Sequence, residues 1–112
     1  MSQYTIKISN LAEEDLENAG DYIAFVLKNP TAAKNIVSGI RKQIGKLRYL
    51  PESHELDNDP VLAQQGIHKT YFKEYKIFFV INHITNTVYI IRILHMLVDS
   101  KSRLYHTLGI TT

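Results

Sequence analysis

Arg92 and His95 interrupt and close an otherwise apolar run, Val88 to His95, and carry the clearest chemistry in the chain. An arginine keeps its proton at any physiological pH and matches phosphate oxygens, while a histidine exchanges a proton near neutrality. His68 and Lys69 belong to an earlier strand-like run, and Tyr75, Tyr89 and Tyr105 add phenols for stacking or proton transfer. Brought together, Arg92, His95, Lys69, His68 and Tyr105 would form a metal-free basic site. Such a site suits RNA cleavage, because the 2′-hydroxyl is an internal nucleophile. The protein then supplies only a base, an acid and charge stabilisation of the transition state. DNA lacks that hydroxyl and is not cut this way. Alternation puts Arg92 and His95 on opposite faces of a strand unless it bends between them. A buried arginine can also be paired to a carboxylate and serve structure alone.

Other chemistries find no support. The chain has no cysteine, which excludes disulfides, thiolate metal sites and cysteine nucleophiles. HExxH, EF-hand and GxSxG patterns do not occur. Gly39 to Leu47 only hints at a phosphate loop, since its glycine spacing is wrong and Leu47 replaces the magnesium-binding hydroxyl. His54, His68, His83, His95 and His106 lack ligand spacing. No cofactor or metal is expected.

The elements that must position these residues follow from periodicity. Tyr4 to Ile8 alternates as a short strand. Asn10, three residues before Glu13, reads as a helix cap. Ala12, Leu16, Ala19, Ile23 and Val26 then form one apolar stripe. Asn29-Pro30 ends that helix and starts another, with Asn29 as cap and Pro30 at the first position. Its stripe runs through Ala33, Ile36, Ile40, Ile44, Leu47 and Leu50 to a stop at Pro51. So short a joint makes an antiparallel hairpin, and Ala19, Gly20, Ala24, Ala32 and Ala33 allow close approach. Residues 51–65 read as an acidic loop. Strands are expected at Ile67–Phe72, Tyr75–Asn82 and Val88–His95, the last two apolar on both faces and so central. Asp99 or Ser100 caps a short final helix through Leu108. Met96-Leu97-Val98 is read as finishing the core, with a partner contact as the alternative.

A length of 112 residues with 45% hydrophobic and 21% charged content gives one ordered domain, residues 1–112. No apolar run approaches a membrane span, and the start lacks the pattern of a secretory leader, so a cytoplasmic protein is expected. Net charge is +2 but unevenly placed. Glu13, Glu14, Asp15, Glu17 and Asp21 crowd the first helix, whereas residues 28–51 hold Lys28, Lys34, Arg41, Lys42, Lys46 and Arg48 and no acid. Either the two helices pair through opposite charge, or a basic face is left for a phosphate backbone or an acidic partner. So small a net charge does not argue for stable binding of the free chain to nucleic acid.

The order of motifs resembles the RelE/ParE superfamily of toxins from bacterial type II toxin–antitoxin modules. The pieces are Ala12-Glu-Glu-Asp15-Leu16, Tyr22-Ile23, Asn29-Pro30 through Ala33, Ile44 through Leu50-Pro51, Gly66-Ile67-His68-Lys69, Tyr75-Lys-Ile77-Phe-Phe79, and Val88 through His95 with Asp99. The resemblance implies an α+β fold: an N-terminal strand, an antiparallel helix hairpin, a curved antiparallel sheet of about four strands and a short C-terminal helix. It also implies a growth-inhibiting toxin neutralised by a cognate antitoxin, meeting operator DNA only through the antitoxin complex. RelE-like members cleave mRNA on the ribosome without metal, and ParE-like members inhibit DNA gyrase without catalysis. Arg92, His95, Lys69, His68 and Tyr105 are the candidate catalytic set on the first reading, towards which the residue types lean. Gyrase inhibition is the alternative, and a non-toxic partner-binding domain is the third.

Overall fold

The computed structural model describes residues 3–111. Strand β1 (Thr5–Ile8) leads into helix α1 (Asn10–Asp21), whose cap is Ser9, not Asn10. The Ser9 hydroxyl accepts the Ala12 amide at 3.0 Å. A serine oxygen reaches the orphan amides of a first turn, and a cap one residue earlier makes Asn10 the first helical residue. After α1 the helix widens into a π-turn, Tyr22–Val26, where the Leu27 amide donates to the Tyr22 carbonyl. The extra residue shifts the helical phase. Val26, expected on the buried stripe, therefore faces out together with Tyr22, Phe25 and Leu27.

Helix α2 (Pro30–Gly45) begins as the Asn29-Pro30 pattern dictates, with Asn29 Oδ1 accepting the Ala32 amide. A Cβ on Gly20 would meet Val37 Cγ2 at 3.1 Å, so the small residue lets the helices close up. A 3-10 turn, Lys46–Arg48, finishes the hairpin. Leu50 leaves the stripe: in front of Pro51 the αR conformation is crowded, and Leu50 adopts φ 48° with its side chain exposed. Residues 51–65 are not simply a loop. They hold a 3-10 turn, Pro51–Ser53, and helix α3 (Pro60–Gln64), capped by Asp59.

Strands β2 (His68–Phe72), β3 (Tyr75–Asn82) and β4 (Thr87–His95) form an antiparallel meander. β1 adds alongside β4 in parallel, so the four-stranded sheet is mixed, in the order β1-β4-β3-β2. Helix α4 (Ser100–Leu108) is capped by Asp99. The hairpin covers one face through Leu16, Ile40, Ile44 and Leu47 against Ile77, Phe79, Val88 and Ile90. Helices α3 and α4 cover the other through Leu62, Leu104 and Tyr105 against Phe78 and Leu94. Two covered faces explain why β3 and β4 carry apolar residues on both sides. Phe78 and Phe79 point oppositely and are both fully buried, each contributing roughly 1.5–3 kcal/mol by removal from water. Gly39 of α2 lies directly over the Phe72 ring on β2, and a Cβ there would overlap it. Met96, Leu97 and Val98 do not complete the core, because the chain turns away after β4 and Leu97 is 87% exposed.

Candidate functional site

The five residues singled out from the sequence lie on two faces of the sheet. Opposite Phe78 and Phe79 the ladder slips, pairing Arg92 with Phe78 but Ile90 with Phe79. The extra residue, Ile91, makes this a β-bulge. It places Arg92 in one cross-strand row with Phe78 and Lys69, towards α4, with the Phe78 side chain between the two cations. His95 pairs with Tyr75, and His68 with Phe79, on the hairpin side. The bulge lies ahead of Arg92, and from Arg92 to His95 the ladder is regular, so alternation keeps these two residues on opposite faces.

Each residue also has local partners. β1 ends at Ile8, which leaves an open edge on β4, and the start of α1 fills it. Ser9 donates from its amide to the Ile90 carbonyl and from its hydroxyl to the Ile91 carbonyl, and Asp15 accepts the Ile93 amide at 3.0 Å. The same Asp15 carboxylate takes two bonds from Arg92, Nε at 2.7 Å and Nη2 at 2.8 Å. Arg92 Nη1 donates to the Thr107 hydroxyl on α4. The guanidinium is 8% exposed and joins α1, β4 and α4. Its bonds to Asp15 raise its pKa above the ordinary value, with burial opposing.

Tyr105 donates its phenol proton to Asp59 at 2.6 Å. That bond, with burial and the Asp59 charge, raises the phenol pKa to about 12, and it lowers that of Asp59. A phenol so held resists giving up its proton near neutrality. Lys69 is buried, at 8% exposure. His68 stacks on Phe79 and has Nδ1 2.8 Å from the His54 carbonyl. Burial first, and the His68 charge second, lower the pKa of His54. His95 accepts the Leu97 amide on Nδ1 and lies edge-on to Tyr75, with Nε2 3.5 Å from Glu74.

His95 also borders an apolar groove of about 640 Å³. It runs between the free end of the hairpin (Tyr22, Leu27, Ile36) and the segment after β4 (Leu97, Val98), with Tyr75 in its wall. Burial, with the nearby Glu74 charge, raises the Tyr75 phenol pKa. Among the described residues, no group of three or more His, Asp or Glu side chains could hold a metal ion, and no helix is long and apolar enough to cross a membrane.

The sequence reading did not identify Asp15 and Asp59 as the partners of these residues. Asp15 belongs to the acidic run that crowds the first helix, yet it follows Ala12 by three and adjoins Leu16, which turns it towards the sheet. Asp59-Pro60 repeats the cap-and-proline signal of Asn29-Pro30, and reading it alike would have found α3.

Residues 6–99 match the family model described as the ParE toxin of the type II toxin–antitoxin system parDE. The chain belongs to the ParE toxin family. No curated protein matches it. Among solved structures, the ParE-family chain is similar to a chain of the chromosomal ParDE system of P. aeruginosa, with TM-score 0.68 and 20% identity over 83% of this chain and 96% of that one. It is also similar to a chain of the RelBE2 toxin–antitoxin complex of Mycobacterium tuberculosis, with TM-score 0.62 and 21% identity over 85% and 93%. A mutant of the E. coli toxin RelE in its free state gives TM-score 0.64 at 10% identity over 98% and 99%. At such identities the ParE-family chain shares a fold with both branches of the superfamily.

Proposed function

We propose that this toxin arrests growth by binding a protein target, which we take to be DNA gyrase, and not by cutting RNA. The observation that carries the reading is the burial of Arg92 in an ion pair with Asp15. Its Nε–Nη2 fork is occupied by the Asp15 carboxylate and Nη1 donates to Thr107, so the charge is paired and little of the side chain is left for a phosphate. Tyr105 held by Asp59, and His95 on the other face, supply no acid–base pair beside it. The match to the ParE model points the same way. A cognate antitoxin is the expected neutralising partner, and both act in the cytoplasm. Catalysis by Arg92, His95, Lys69, His68 and Tyr105 is the reading this one displaces.

The test is induced expression in a bacterium, with and without the adjacent gene, while mRNA 5′ ends and DNA breaks are mapped. Arrest with DNA breaks and intact mRNA, relieved by the adjacent gene, is the expected result. New codon-phased mRNA ends would overturn it. Absence of arrest would leave a partner-binding domain.

A further inference from the structure

Opposite charge does not hold the helix hairpin together to the extent its acidic and basic helices suggest. Among the described residues, one ion pair joins α1 to α2: Arg41 to Glu13, at 3.0 Å. Lys34, Lys42, Lys46 and Arg48 are exposed and within ion-pair distance of no described carboxylate. Lys34, Arg41, Lys42 and Arg48 line one shallow depression along the outer side of α2. Ser38 and Gly45 lie between them, a hydroxyl and a gap without a side chain. At about 1.5 Å per residue the row extends roughly 20 Å. Residues 28–51 contain no acid to offset it.

We propose that this face of α2 binds the phosphate backbone of duplex DNA without reading its sequence. Most of the row is carried by one helix and the depression is shallow, which fits the outside of a duplex. None of the residues lining it is aromatic, whereas single-stranded nucleic acid is usually held by stacking its bases. The low net charge is a whole-chain sum: Glu13 of α1 neutralises Arg41 at the border of this face, and Lys34, Lys42 and Arg48 have no described carboxylate within ion-pair distance. The choice of DNA over RNA rests on the reading above, in which the target is an enzyme that holds DNA. Contact with that DNA would add to protein–protein affinity by linking two weak attachments.

The test uses the full chain, purified, and a labelled duplex of about 20 base pairs of arbitrary sequence. With about three phosphates neutralised, affinity should fall roughly forty-fold between about 50 and 200 mM salt. The triple variant Lys34→Gln, Lys42→Gln, Arg48→Gln should lose most of that salt dependence and keep the wild-type melting temperature. A control triple of equal charge change, Lys7→Gln, Lys73→Gln, Arg103→Gln, should retain it. No DNA binding at low salt, or equal loss in both triples, would overturn the proposal. Equal or tighter binding to duplex RNA would overturn the assignment to DNA. None of these outcomes depends on toxicity, so the DNA contact and the gyrase reading fail separately.

Discussion

Arg92 and Leu97 belong to one short stretch of chain, and their surroundings are opposite. Around Arg92 every strong polar group has found a partner inside the protein: a carboxylate from α1, a hydroxyl from α4 and the edge of β4 are joined at one buried point. Around Leu97 a hydrocarbon side chain stands in water, facing the exposed Tyr22 and Leu27 of the hairpin end across a groove. The first region resembles an interior junction, where charge is costly unless matched. The second resembles an interface without its partner. Residue types that suggest catalysis can therefore be the ones that hold the layers together, as Arg92 does.

Breaking the junction should have the largest effect. Arg92→Ala leaves the largely buried Asp15 carboxylate without its counter-charge, and should cost about 3–5 kcal/mol of stability in urea unfolding. A catalytic arginine would instead lose activity at wild-type stability. The groove should behave the other way. Leu97→Asp or Leu27→Ser should change stability by less than about 0.5 kcal/mol, since both side chains line the groove and are largely exposed. Each should weaken antitoxin or target binding about ten-fold or more by calorimetry. A binding-neutral result for both would remove the contrast.

Two pH experiments sharpen it further. The raised Tyr105 pKa means that the unfolded chain loses its phenol proton first, from about pH 10. The stability from this bond is complete below that pH and lost as pH rises towards about 12. Thermal unfolding followed upward from pH 9 should show the loss, and Tyr105→Phe should remove that component. The lowered pKa of His54 has the opposite consequence. The unfolded chain takes the proton first as pH falls through about 6.5, so stability drops on the acid side of neutrality. His54→Gln should flatten the melting temperature across that range, the smallest of the four effects.

Most of the fold was legible because it depends on local signals. Asn29-Pro30, the two-sided strands, the hairpin joint and the Asp99 cap each act over a few residues. Asn10, Val26 and Leu50 depart from the sequence pattern where neighbours decide the outcome: a cap displaced by one residue, a π-turn that moves the phase, and a proline that drives its predecessor to positive φ. The candidate site was less legible. Its residue types are visible in sequence, but their partners lie far away along the chain, as Asp15 does from Arg92 and Asp59 from Tyr105. The bulge opposite Phe78 and Phe79 leaves no local mark in a run of apolar residues, although it decides which face Arg92 occupies.

The Phe72 ring beneath Gly39 works as a key in a slot. It fixes how far α2 is rolled about its own axis, and with that the direction in which the outer row of lysines and arginines faces. Inserting one residue into α2 ahead of Gly39 would turn everything before it by about 100° relative to the slot. A mutational scan scored by growth would then report Gly39 as intolerant although it touches no partner. Shortening Phe72 in the same chain would tell such a mechanical constraint from a binding one.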